Sequence, residues 1–324
     1  MLLRFALVAI VAGLAAIPTA GLALDPDKDF PSPGVCRPGQ DRDSHGNPCI
    51  RPNRPLSVVQ AKTDAANAYH RFLTGEGSKE EVERADYVAS KVSGEDVGKS
   101  DWSLPQNTPA ARKLRGEQVS RDYGPLQNRF WPFEQITWWY CGPATAQSIL
   151  WYLGPHRSET VDPDWGGRPW LTGNPYEDQW LLGHDFWLAT NSFEGTNWGD
   201  RYMPFTLNAW RGTSWYVQSA SPFLEGGTLT KEQALINMRY DFDRSYPVAE
   251  NVLYAPSTYY PYGFWPGIVY LHWDVVYGYL EDNGLPYVQI GQVYHDERFS
   301  YERFQQVSWD VHWGAIANWH GIVW

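Results

Sequence analysis

Apolar positions fall at helical spacing in the earlier part of the chain and in strand-like runs in the later part. Val58, Val59, Ala61, Ala65, Ala68, Tyr69 and Phe72 keep a helical period, Thr74 to Gly77 breaks it, and Ser78-Lys-Glu-Glu81 matches a capping box for a second helix running to about Val92. Gly94 to Gln127, punctuated by Pro105, Pro109, Gly116, Gly124 and Pro125, reads as a linker with at most one short helix near Ala110 to Arg115. Ala144, Ile149, Leu150 and Leu153 give the next helix a buriable face, which Gly154-Pro155 ends. Further helices are expected over Tyr176 to Thr190, Met203 to Trp210 and Lys231 to Phe242, with a strand over Gly212 to Gln218. After the Ser245-Tyr-Pro247 break come strands at Val248 to Tyr254, Ile268 to Leu280 and Tyr287 to Val293, then a late pair near Val311 to Ala317 and His320 to Trp324. Helices first and antiparallel strands later is an α+β layout, with the helix that starts near Cys141 packed on a sheet.

The N-terminus changes the domain picture. Residues 1–23 carry one arginine, an apolar run and small residues near Ala20 and Ala23, the pattern of a cleaved secretory signal. The run is short for a membrane span, and no other stretch is apolar enough for one. Leu24 to about Pro55, rich in Asp, Pro, Gly and Arg, reads as an extended leader, so residues 24–100 form a leader plus helical extension and residues 101–324 the main domain. A net charge of -11 argues against a nucleic-acid partner, which requires a basic face. Aromatic residues make up 16% of the chain, and many sit among Gly, Pro and Asn, so some line surfaces or grooves rather than the core.

Three cysteines sharpen the functional question. Cys36 and Cys49 bracket a short polar loop, and in an exported chain a local disulfide is the default, stabilising by about 3 kcal/mol for a loop of that size. Cys141 is left over as a buried inert residue, an intermolecular partner or a nucleophile. Gly142 and Pro143 follow it directly, and proline suits the first helical turn because its missing N–H has no partner there anyway. A thiol at a helix start is stabilised as thiolate by the unpaired N–H groups and the helix dipole.

A catalytic thiol needs a base, and the chain offers His45, His70, His156, His184, His272, His295, His312 and His320. His272 opens the run HWDVVYGYLEDNG, a strand that turns at Asp282-Asn-Gly284 and returns through Tyr287 to Val293. A histidine there is held rigidly, as an acid/base group must be, or is a hydrogen-bonded core residue. HExxH, CxxC, Walker and GxGxxG signatures are absent, and no cofactor is expected. His312 and His320, beside Trp313 and Trp319, lack a carboxylate at ligand spacing and read as partly buried residues of a terminal strand rather than a metal cluster. Tyr259 to Trp265 is an aromatic loop that either walls a groove or covers the sheet.

Gln135, the Cys141-Gly-Pro-Ala144 run, the HWDVVYGY strand and its hairpin partner together resemble the secreted branch of the C39-like, papain-like cysteine peptidases. Glu194-Gly-Thr196, Leu207-Asn208 and the WYV strand fall in the order seen there, and the resemblance covers about Phe130 to Tyr294. It implies a papain-like fold, Cys141 as nucleophile, His272 as general base and acid, Gln135 as the oxyanion side-chain donor, and a peptide or protein substrate. The family's His-orienting Asp aligns with Gln292, a neutral amide that holds imidazolium less firmly than a carboxylate. Asp296 could replace it; so could Asp274, which reads more simply as an edge or turn-facing charge. The rival reading is a non-catalytic module of the same fold that binds a protein or wall polymer through its aromatic surface. Acyl transfer to another acceptor would use the same residues. Ser57 to Val92 is either a removable prosegment covering the groove or a permanent flank.

Overall fold

In a computed structural model of the chain, the apolar run after His272 is the central strand of a seven-stranded antiparallel sheet. The structure describes residues 56–95, 121–123, 130–154, 157–162, 164, 169–192, 195–199, 201–261, 267–282, 284–294 and 303–324. The expected signal segment, Cys36 and Cys49, the short helix near residue 110, Asp296 and residues 262–265 of the aromatic loop lie outside the described residues.

Seven strands, β1 (Arg121–Tyr123), β2 (Gln218–Ala220), β3 (Val248–Tyr254), β4 (Tyr270–Asp282), β5 (Leu285–Gly291), β6 (Phe304–Ser308) and β7 (Gly321–Val323), run in the order β2-β7-β3-β4-β5-β6, with β1 paired to the far end of β4. Strand β4 is buried on both faces from His272 to Leu280, which is why it reads as a continuous apolar run rather than an alternation. The β4–β5 hairpin turns at Gly284, whose φ of +80° favours glycine.

The described helices are α1 (Leu56–Thr74), α2 (Lys79–Ser93), α3 (Cys141–Leu153), α4 (Pro175–Gly183), α5 (Tyr202–Arg211), α6 (Lys231–Phe242) and α7 (Trp309–Ala317). The Ser78 hydroxyl accepts from Glu81 N at 3.2 Å, as the capping-box pattern predicts, and Gly94 closes α2 in the left-handed region. Helices α3 and α6 pack on β4, and α7 packs on β3.

Three expectations are corrected. Val311 to Ala317 is helix, not strand: Trp309, His312, Ala315 and Ile316 are its buried residues, at spacings of three and four that a short run disguises as alternation. The stretch from Gly212 to Gln218 is irregular until Gln218, because the Asn208 side chain bonds both backbone groups of Tyr216, at 2.8 and 3.0 Å. The helix expected to reach Thr190 ends at Gly183, and Ala189 has a φ of 45°. Strand β6 was not expected; Phe304-Gln-Gln-Val-Ser308 is an edge strand whose polar residues carry little pattern.

The α1–α2 pair joins the same compact unit as the sheet, Ile50–Trp324. Lys62 Nζ lies 3.0 Å from Asp241 Oδ2 with both side chains buried, and its ammonium sits 4.1 Å from the ring centre of Trp215. Asp86 of α2 meets Arg244 at 2.8 Å, also buried, and the Tyr69 hydroxyl donates to Asp243 at 2.6 Å. Among the described residues no helix is long and apolar enough to cross a membrane.

Candidate active site

Helix α3 begins at the sulfur itself. Tyr140 is its N-cap and supplies no side-chain cap, so the first turn keeps the positive end that favours an anion. Gly142 is required for a local reason: a Cβ there would lie 2.0 Å from Thr196 Oγ1 and 2.5 Å from Thr196 Cβ. Cys141 is 6% exposed, and every residue from Cys141 to Leu150 is buried.

A helix buried all round must satisfy its polar side chains internally, and α3 uses them to assemble the site. Thr145 donates to the Trp273 carbonyl at 3.1 Å, joining the cysteine helix to the residue that follows His272. Trp273 Nε1 in turn donates to the Thr196 carbonyl at 2.9 Å, beside Gly142. Ser148 accepts from Phe133 N at 2.9 Å, and Gln147 accepts from Gln179 Nε2 at 3.1 Å.

Gln179, on α4, clamps the chain on either side of Gln135. Its Oε1 accepts from Ile136 N at 3.0 Å, and its Nε2 also donates to the Glu134 carbonyl at 2.7 Å. Gln135 N donates to the Val293 carbonyl at 2.8 Å, and its side-chain Oε1 is buried with no hydrogen-bond partner among the described residues. The sequence reading missed Thr145, Gln147, Ser148 and Gln179. Polar residues on an otherwise apolar helix were the signal that could have found them.

His272, 4% exposed, is brought to Cys141 from a position far along the chain. Its Nε2 lies 3.2 Å from Asp274 Oδ1, an ion-pair contact between two buried groups. Burial pushes the imidazole pKa down, but the Asp274 carboxylate and then the Cys141 sulfur, each by charge and by a side-chain hydrogen bond, outweigh it and raise it to about 10.

Asp274 is therefore not an edge or turn-facing charge. Residues two apart on a strand share a face, β4 is an interior strand between β3 and β5, and the carboxylate is fully buried beside the ring. Its other oxygen accepts from the Tyr254 hydroxyl at 2.5 Å and, more weakly, from Gln292 Nε2 at 3.4 Å. Gln292 meets Asp274, and the carboxylate against His272 is Asp274.

The other histidines separate from this pair. His312 has Tyr259 on Nδ1 and Glu250 on Nε2, the latter at 2.7 Å, so both its nitrogens are engaged within the protein. His320 meets Asn251 Oδ1 at 2.6 Å, and burial lowers its pKa to about 4. Asp162, Asp164 and His184 bring ligand-type atoms within 4.8 Å of one another, a grouping the sequence reading did not find.

Beside α3 the surface is aromatic. Trp138 is 72% exposed, its ring packs edge-on against Trp139, and Tyr140 packs against the exposed Trp180. No family model, curated protein or solved structure matches the chain.

Proposed function

We propose that the protein is an exported cysteine hydrolase of the papain-like, C39-like type that cleaves peptide amides through a thioester acyl-enzyme. One observation carries the reading: a thiol at an uncapped helix start contacts an imidazole that is itself ion-paired to a buried carboxylate.

In this reaction the Cys141 thiolate attacks the scissile carbonyl carbon, and the oxygen gains charge facing the Cys141 N–H and the Gln135 amide. An oxyanion donor of this kind stabilises the transition state by about 3 kcal/mol. Asp274 on Nε2 leaves Nδ1 of His272 to exchange the proton with the reacting groups. The imidazolium protonates the departing amine as the C–N bond breaks, leaving the acyl group on sulfur. Water then gives a proton to His272, attacks the thioester, and releases the acid with the thiolate–imidazolium pair restored. The chemistry calls for no cofactor. Trp138, three residues before Cys141, and Trp180, packed on Tyr140, offer a peptide exposed apolar rings.

The test is a peptide-library cleavage profile run on the parent and on Cys141→Ala. Turnover by the parent alone supports the reading, and equal turnover by both ends it.

A second reading is favoured by the small exposure of Cys141 set against the exposed indoles of Trp131, Trp138, Trp170 and Trp180. It makes the chain a binding module for a protein or wall polymer, with the cysteine as core. It predicts that Cys141→Ala retains full binding to that polymer and that no peptide is cut.

A further inference from the structure

Behind the Cys141–His272 pair stands a second imidazole–carboxylate pair drawn from different elements. Glu250 on β3 is the register partner of Asp274 on β4, and residues directly opposite in an antiparallel pair put their side chains on the same face. Both carboxylates are fully buried. Two buried acids facing each other are costly unless each has a polar partner, and each lies against an imidazole: His272 for Asp274 at 3.2 Å, His312 for Glu250 at 2.7 Å. The Tyr259 hydroxyl holds the far nitrogen of His312, and the Tyr259 and Tyr254 rings meet edge-on at 5.3 Å. Tyr254 carries the contact back to Asp274 through its hydroxyl. Contacts thus run without a break from the sulfur to helix α7.

We propose that Glu250, held by His312, is a positioning residue for the reacting pair: its charge, acting across the strand through Asp274, keeps His272 in the imidazolium form. This rests on the reading of Cys141 and His272 as a reacting pair. The groups facing His272 are Cys141 from α3, Asp274 from its own strand, and Glu250 and Tyr254 from β3, with Tyr294 edge-on at 6.0 Å from the ring. Only Asp274 and Glu250 among them are carboxylates. Burial raises the proton affinity of Glu250, His312 lowers it, the facing Asp274 charge raises it again and His272 lowers it, so Glu250 and His272 are coupled. The alternative is a pair that only satisfies its own burial; it would affect folding and leave the titration of the site alone.

The test needs no substrate: the rate of Cys141 alkylation by iodoacetamide is measured from pH 5 to 11 in the folded parent, in Glu250→Gln and in Glu250→Asp. The parent should show a raised rate that persists to high pH. Glu250→Gln should bring the alkaline limit of that plateau down by about one pH unit, and Glu250→Asp, which keeps the charge, should restore most of it. If Glu250→Gln does not fold, Tyr259→Phe, which loosens His312 and leaves both carboxylates in place, should move the limit in the same direction by less. A parent plateau with identical variant profiles overturns this proposal and leaves the hydrolase standing. A parent profile that follows a free thiol overturns the reacting pair and this proposal with it.

Discussion

His272 Nε2 lies 3.2 Å from Asp274 Oδ1, so the carboxylate against the imidazole sits two residues along the same strand. In this arrangement the strand's own pleat sets the distance. Asp274→Asn should therefore lower kcat by a factor of about 10² to 10⁴, as loss of the orienting carboxylate does in related triads. Gln292→Ala, which removes only a weak contact to the same carboxylate, should cost much less. Steady-state kinetics on the best library peptide decides; equal losses would return the orienting role to Gln292.

The His272 charge also enters stability. Its folded pKa, about 10, lies above the unfolded value near 6.5, so the folded state binds the extra proton between them. The stabilisation is full below about pH 6.5 and is lost as pH rises through about 10. Thermal midpoints should fall across that window in the parent and stay flatter in His272→Gln. A parallel fall in both would remove His272 as the cause.

Gly142→Ala places a methyl group 2.0 Å from Thr196 Oγ1. The first turn of α3 has no room to shift within its buried surroundings, and overpacking of this kind costs about 1–3 kcal/mol. Urea midpoints should show that loss, and adding Thr196→Gly should recover part of it. Full stability of Gly142→Ala alone would mean that Thr196 moves freely.

Lys62→Met leaves Asp241 buried without its cation and should destabilise the protein by about 3–5 kcal/mol. The same logic applies to removal of the whole helical pair. A chain starting near Asp101 loses Lys62, Tyr69 and Asp86, the partners of Asp241, Asp243 and Arg244. It should fail to fold rather than gain activity. A shortened form that melts at the parent temperature would restore the removable-prosegment reading.

Trp138→Ala tests the aromatic surface. The indole is exposed, so the fold should not change, and KM for a peptide should rise while kcat holds. An unchanged KM would place the substrate elsewhere.

Local pattern was enough for much of the chain. The Ser78 cap, the helix over Lys231–Phe242, the strand over Val248–Tyr254 and the start of α3 at Cys141 all follow from side chains within a few residues of one another. The α+β order and the choice of Cys141 and His272 as a pair to examine came from the same level. Where a contact from afar settles the matter, pattern failed. Asn208 takes the backbone bonds of Tyr216 that a strand would have used. Burial on one face only, with period three and four, makes a helix of Val311 to Ala317.

The sequence alone determined most of the elements that hold Cys141 and His272, because propensity, capping and periodicity act over a turn or a hairpin. Tertiary structure decided which carboxylate serves His272, that Thr145 and Gln179 fix the cysteine helix and the Gln135 segment, and that Glu250 faces Asp274 with His312 behind it. Those are relations between residues distant in sequence or across strand registers. Their energies depend on burial and on charges a few ångströms away, and neither exists until the sheet has formed.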